Sequence, residues 1–336
     1  MTIAEAAHIH FVGIGGAGMS AIALVLLERG RPVSGSDAKE GPALDLLRAR
    51  GAEVVVGHDA DNVSGADQVV VSNAVPAENV EVQRAHSTGA RVITRGEALA
   101  ELLAPTSAVI VAGTHGKTTT AAMIVAIAKA AGLDPTYLIG AGFGEDHTNA
   151  HSGRDDLAVA ESDESDGSFL LLAPKIGVVT NVDADHLDHW ASEAEYRRAF
   201  VDFVDRIRED GSLVAPSAEG DLLARGTESG LNLVSFGPDG DIRAGGVTYE
   251  ATGSRFTVRL PSEELEVNLR VPGAHNIENA LAATGAAVVL GIESEAIKRG
   301  LETYRGVDRR FQLRGSPGGR MVVDDYAHHP VEVRAV

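Results

Sequence analysis

Gly113-Thr114-His115-Gly116-Lys117-Thr118-Thr119-Thr120 places a lysine and three threonines directly behind a glycine. In such a string backbone N–H groups can wrap phosphate oxygens, Lys117 can neutralise the β- and γ-phosphates, and the Thr118 hydroxyl can ligate Mg²⁺. The chemistry expected is phosphoryl transfer from ATP. Only Thr114 and His115 separate Gly113 from Gly116, so the loop is tighter than G-x-x-x-x-G-K-[ST]. The other lysines are Lys39, Lys129, Lys175 and Lys298.

A second glycine loop, Gly13-Ile14-Gly15-Gly16-Ala17-Gly18, matches G-x-G-x-x-G, and Asp37 follows at the distance of a ribose partner. The pattern specifies a pyrophosphate and a nearby diol, which NAD and a UDP-sugar both have. Ala160-Glu161-Ser162-Asp163-Glu164-Ser165-Asp166 gathers carboxylates beyond a strand, where one or two of their oxygens could hold Mg²⁺. Chemistry alone does not choose Glu161 over Asp163 or Glu164. In Thr180-Asn181-Val182-Asp183-Ala184-Asp185-His186-Leu187-Asp188-His189, the His and Asp side chains at a strand end could ligate a second metal or orient an attacking group. Asn276 and Asn279 share a helix face, where their amides could read an adenine edge or cap the helix.

These groups need strand ends to carry them. His8–Gly13 reads as a strand feeding a helix over Ala17–Arg29, with further strands near Val33 and at Val54–Val56, Gln68–Ser72 and Arg91–Thr94. Alternation of this kind predicts a parallel sheet covered by helices. After a boundary at Ala104-Pro105-Thr106 it begins again: strands at Ser107–Ala112, Leu157–Ala160 and Ile176–Thr180, helices at Thr118–Ala131 and Glu193–Arg208. Leu231–Val271 alternates in short strands, as an antiparallel patch at one edge of the second sheet would. Helices at Asn276–Leu290 and Ser294–Thr303 follow, and Arg310–Asp324 again reads as strands.

At about 150 residues per domain, 336 residues make two domains with part of a third. The chain has no cysteine, which excludes disulfides, zinc thiolates and a thiol nucleophile. A net charge of −19 argues against nucleic acid as a partner. No signal peptide and no apolar run of about 18 residues is present, so no membrane association is expected and the cytoplasm is the expected location.

In order, HFVGIGGAGMS, GTHGKTTT, AESDESDGSF, TNVDADHLDHW, PGAHNIENALAA, GVDRRFQ and DDYAHHP resemble the motifs of the Mur ligase family of cell-wall synthesis over the whole chain. The resemblance implies an α/β fold: a Rossmann-like N-terminal domain (1–105) for a UDP-sugar, then a P-loop-type mononucleotide-binding central domain (106–312) for ATP. Residues 313–336 would begin a third, amino-acid-binding domain that is mostly absent, so this chain is expected to be inactive alone. It also implies ATP-dependent joining of L-alanine to UDP-N-acetylmuramate, with ATP and Mg²⁺ as cofactors. The alternative within the family attaches a whole peptide to the same sugar. Later-acting members carry a modified lysine after the DHxD string; 191–211 contains none, which fits the alanine-adding branch.

Carried over onto this sequence, the resemblance makes Lys117, His186 and Glu161 catalytic, and Thr118, Glu161 and His186 metal ligands. The nucleotide set is Gly113, Thr114, His115, Gly116, Lys117, Thr118, Thr119, Asn276, Asn279 and Arg310. The substrate set is Gly13, Gly15, Gly16, Ala17, Gly18, Met19, Ser36, Asp37, Ser72, Asn73, Tyr326 and His328.

Overall fold

The computed structural model describes residues 2–144, 146–183, 189–328 and 333–334. Strands β1 (Ile9–Val12), β2 (Val33–Asp37), β3 (Glu53–Val56), β4 (Gln68–Val71) and β5 (Arg91–Thr94) form a first sheet in the order β3-β2-β1-β4-β5. Every pairing in it is parallel. Helices α1 (Ala17–Glu28), α2 (Pro42–Ala49), α3 (Val80–Thr88) and α4 (Arg95–Leu103) link the strands. β1 is buried at every position and α1 from Met19 to Leu26, so both read as apolar runs without a polar stripe. The chain leaves β1 towards β2 and returns on its other side at β4. Open α/β sheets bind ligands in the crevice at such a reversal, outside the strand carboxyl ends. Gly13–Gly18 and Ser72 open there.

The second sheet repeats the device with seven strands: β6 (Ser107–Ala112), β7 (Thr136–Phe143), β8 (Thr148–His151), β9 (Leu157–Glu161), β10 (Ile176–Val179), β11 (Ser212–Pro216) and β12 (Asn232–Phe236). Their order is β12-β11-β10-β6-β9-β7-β8, parallel except for β7 with β8. Helix α5 (Lys117–Ala130) leaves β6 buried along most of its length. It packs with α8 (Ala274–Val289) and α9 (Ser294–Thr303), while α6 (Glu193–Val204) and α7 (Gly220–Glu228) pack together. β6 lies between β9 and β10, so the loops after all three strands converge on one edge.

Residues 231–271 differ from the sequence expectation. β12 joins the second sheet in parallel, and β13 (Arg243–Glu250), β14 (Gly253–Arg259) and β15 (Glu264–Leu269) form an antiparallel sheet of their own. The alternation around Phe256 is real: Phe256, Val258, Leu265 and Val267 point into the core that also holds Ile297 and Leu301 of α9. It reports one covered face, and cannot say which sheet owns that face. β16 (Gln312–Gly315) and β17 (Val322–Asp324) pair antiparallel.

Beneath the first glycine loop lies a buried polar cluster. Glu81 of α3, fully buried, accepts from Ser36 Oγ (2.5 Å) and Asn62 Nδ2 (2.5 Å), with His58 Nδ1 at 3.0 Å. His10 of β1 is hydrogen bonded to Ser34 Oγ, which also meets His8, and its Nε2 lies 3.9 Å from Glu81. Burial pushes the His10 imidazole from its ordinary 6.5 down to about 4; Glu81 opposes the shift, and His8 and His58 add to it. Folded His10 is therefore neutral where unfolded His10 takes up a proton. Stability should be fully present above about pH 6.5 and fall as pH drops towards 4, by roughly 1.4 kcal/mol per unit of pKa separation. Urea unfolding at pH 7 and pH 5 measures the slope. His10→Gln should remove most of it, and an equal slope in that variant would place the titration elsewhere.

Candidate functional site

Between β6 and α5 the backbone turns at Gly113 (φ +135°) and Gly116 (φ +81°). A Cβ on Gly113 would overlap Thr180 Oγ1, and one on Gly116 would overlap Asn279 Oδ1. The loop is clamped from the end of β10. Thr180 Oγ1 donates to His115 O (2.6 Å), Asn181 Oδ1 accepts from His115 N (2.9 Å), and Asn181 Nδ2 donates to His115 O (3.0 Å). Thr114 Oγ1 is hydrogen bonded to Tyr196 OH at 2.8 Å. Gly116 caps α5 with no side chain, and the first turn of α5 carries no acid. Its N-terminal N–H groups and dipole thus face an incoming anion without a built-in competitor.

Lys117 Nζ donates to Gly113 O (2.6 Å), Thr114 O (3.0 Å) and Glu164 (2.9 Å). The four carboxylates of 161–166 do not act as one set. Asp163 and Asp166 face Arg95 at 3.3 and 3.1 Å, and Asn73 also donates to Asp166. Burial would raise Asp166, but Ser168 and Arg95 hold it below the ordinary carboxylate value. Glu161 alone meets the threonine of the loop. Burial pushes its pKa up, against a hydrogen bond from Thr118 and the charge of Lys117. Its Oε2 is buried with no protein partner. His186 lies outside the described residues, and among those described no group of three His, Asp or Glu is arranged to hold a metal.

Two cavities meet at this loop. A cleft of about 550 Å³ between the two lobes takes in Gly16, Ala17, Gly18, Met19 and Ser72 from the first sheet, Lys117, Thr118 and Glu161 from the second, and Arg310 and Tyr326. A pocket of about 240 Å³ on the other side takes in His115, Gly116, Thr118, Thr119, Asn276, Asn279 and Arg310. A larger open groove of about 940 Å³, bordered by Lys129, Arg299 and Arg305, contains neither glycine loop.

The remaining candidates stand behind these walls. Ser36 O accepts from Gly13 N and Ile14 N, while the Ser36 hydroxyl turns to Glu81. Asp37 Oδ2 accepts from Gly15 N at 2.8 Å, so the acid read as a ribose partner also fixes the loop. Asn276 Nδ2 donates to Pro272 O (2.7 Å), and Asn279 is bound to Asn276 and Thr120. Both amides thus order the start of α8 and line the pocket. Tyr326 is half exposed under the Arg309 guanidinium, and His328 is exposed beside Tyr326 O.

Sequence reasoning missed Arg95, which bridges the lobes, and Tyr304, which is buried in the pocket and hydrogen bonded to Thr119. It left Thr180 and Asn181 without a role. Their place after a buried strand was a usable signal; Arg95, one residue past a capping threonine, had none.

Residues 8–106 match the family model described as Mur ligase family, catalytic domain, and 111–287 the one described as Mur ligase middle domain. A UDP-N-acetylmuramate–L-alanine ligase of Solibacter usitatus is 46% identical over 332 residues, covering 98% of this chain and 70% of that protein. A crystal structure of UDP-N-acetylmuramate–alanine ligase from Thermotoga maritima superposes with a TM-score of 0.86 at 33% identity, covering 98% of this chain and 76% of that one. The UDP-N-acetylmuramate:L-alanyl-γ-D-glutamyl-meso-diaminopimelate ligase of Neisseria gives 0.80 at 30% identity, covering 90% and 99%.

Gly116→Ala tests the loop. The added methyl meets Asn279 and sits at a left-handed φ. ATP affinity measured by calorimetry should fall about tenfold or more, about 1.4 kcal/mol. Unchanged affinity would show that the nucleotide does not enter here.

Proposed function

The chain belongs to the Mur ligase family, and we infer from this and from the paired cavities that it joins L-alanine to UDP-N-acetylmuramate using ATP, in peptidoglycan precursor synthesis. The observation that carries the inference is the adjacency of two anion cradles. A glycine loop of the first sheet and the Lys117 loop of the second open onto one cleft. We assign 1–105 to the UDP-sugar, 106–312 to ATP, and 313–336 to the start of an amino-acid-binding domain.

An amide does not form from a carboxylate and an amine, because oxide is too poor a leaving group. The lactyl carboxylate of UDP-N-acetylmuramate attacks the γ-phosphorus of ATP, ADP leaves, and an acyl phosphate forms. The L-alanine amine then attacks the acyl carbon, the C–O bond to phosphate breaks, and the amine loses a proton. In the first step two anions meet, so catalysis is mainly charge compensation at fixed positions. Lys117 and the N–H groups at the start of α5 supply it to the phosphates. Asn276, Asn279 and Thr119 border the nucleotide pocket; Gly16–Met19 and Ser72 border the sugar-nucleotide side.

The residues present fit Mg²⁺. Glu161 offers a buried oxygen without a protein partner, next to the Thr118 hydroxyl, a hard oxygen pair of the kind this ion prefers. Thr118 and Glu161 would hold it, with His186 as the further ligand the family resemblance suggests. Bound there, the cation would neutralise phosphate charge. Among the described residues no helix is long and apolar enough to cross a membrane, and we assign the protein to the cytoplasm.

Calorimetry of this chain should show separate sites for UDP-N-acetylmuramate and ATP. Lys117→Ala should weaken ATP about tenfold or more, the worth of one charge-assisted hydrogen bond, and leave the UDP-sugar nearly unchanged. Loss of both, or binding of NAD(H) in place of the UDP-sugar, would overturn the assignment. With ATP, Mg²⁺ and both substrates, mass spectrometry should find UDP-N-acetylmuramoyl-L-alanine, and its absence alongside intact binding of ATP and the UDP-sugar would overturn the ligase reading.

A further inference from the structure

Glu164 is the most deeply buried carboxylate of the acidic loop, with 1% of its side chain exposed. It borders neither the cleft nor the nucleotide pocket, whereas Lys117, which it contacts, borders the cleft. Its two oxygens lie 2.9 and 2.8 Å from Lys117 Nζ. Oε1 accepts the hydrogen bond, and with Gly113 O and Thr114 O it takes up all three N–H donors of the ammonium. A phosphate can therefore claim Lys117 only by displacing one of these protein acceptors.

Glu164 is poorly placed to follow the lysine. Its backbone carbonyl accepts from Trp190 Nε1 at 3.0 Å and from Gly167 N at 3.3 Å. Trp190 packs edge-on against Tyr196, the residue hydrogen bonded to Thr114 in the phosphate loop. The carboxylate and the loop are thus tied to one aromatic pair. Its loop neighbours Asp163 and Asp166 are taken by Arg95, and Glu161, which also feels the Lys117 charge, is hydrogen bonded to Thr118.

Resting on the assignment of this cradle to ATP, we propose that Glu164 is a positioning residue that latches Lys117 in the empty site and competes with the nucleotide for it. The latch keeps the ammonium ordered before ATP arrives, weakens ATP and ADP binding, and re-forms as the nucleotide leaves. Two effects act in the same direction: the buried ion pair opposes the exchange, and the buried anion repels the phosphates.

The test is calorimetric titration of this chain with ATP and with ADP. Glu164→Gln keeps the shape and removes the charge; both nucleotides should bind about tenfold tighter, with UDP-N-acetylmuramate unchanged. Glu164→Asp keeps the charge but withdraws it by one methylene, and should tighten ATP by about threefold. It serves as the test if the glutamine variant does not fold. A merely structural carboxylate would give the opposite sign, weaker nucleotide binding together with a lower Tm. Equal or weaker ATP affinity in a folded variant overturns the latch and leaves the cradle assignment standing. Absence of ATP binding by the unaltered chain overturns both.

Discussion

The contact between Thr180, Asn181 and the backbone of His115 holds the rest of the site in place. A phosphate loop must expose N–H groups and therefore cannot satisfy them internally. Something outside the loop has to fix its shape. Here the end of β10 does so, reaching across to the loop after β6, its neighbour in the sheet. Glycine at 113 and 116 is the counterpart of this clamp, since the clamping side chain at one and Asn279 at the other occupy the space a Cβ would need. The parallel order of the second sheet is thus a requirement of the loop as well as a way of burying apolar strands.

The first lobe solves the same problem with different groups. Ser36 O and the Asp37 carboxylate, both at the end of β2, receive the N–H groups of Gly13, Ile14 and Gly15. The two lobes meet through charge as well as packing, Arg95 on one side and Asp163 and Asp166 on the other. Arg95 lies against Gly18 and on the acidic loop at once. A displacement of the first glycine loop is therefore felt by the carboxylates beside the second.

Much of this was legible in the residues. β1, β6, β9 and β10 are buried, mostly apolar strands, and the groups at or just past their ends line the cleft or the pocket or clamp the loop between. Gly116-Lys117-Thr118 announced its cradle because only a few residue types can perform that task. Other parts depended on partners distant in sequence. Glu161, Asp163, Glu164 and Asp166 look alike in the chain, yet one meets Thr118, one meets Lys117 and two meet Arg95. Asp37 has the spacing of a ribose acid, and the spacing does not reveal that one of its oxygens already holds Gly15. The strands 136–143 and 212–216 were missed because both lie inside the second sheet, and their buried runs, broken by glycine or ended by proline, carry little period-two signal.

Thr118 and Arg310 border both the interlobe cleft and the nucleotide pocket, so at that point the partition between them is a single residue thick. For inhibitor chemistry this favours a bridging ligand over two separate ones. An anionic head set among the N–H groups of α5, extended past Thr118 into the cleft, would draw on both cradles while losing its translational freedom only once. Resistance by substitution would be hard to acquire along that route, since the groups it touches are backbone amides and the threonine on which the phosphate site depends.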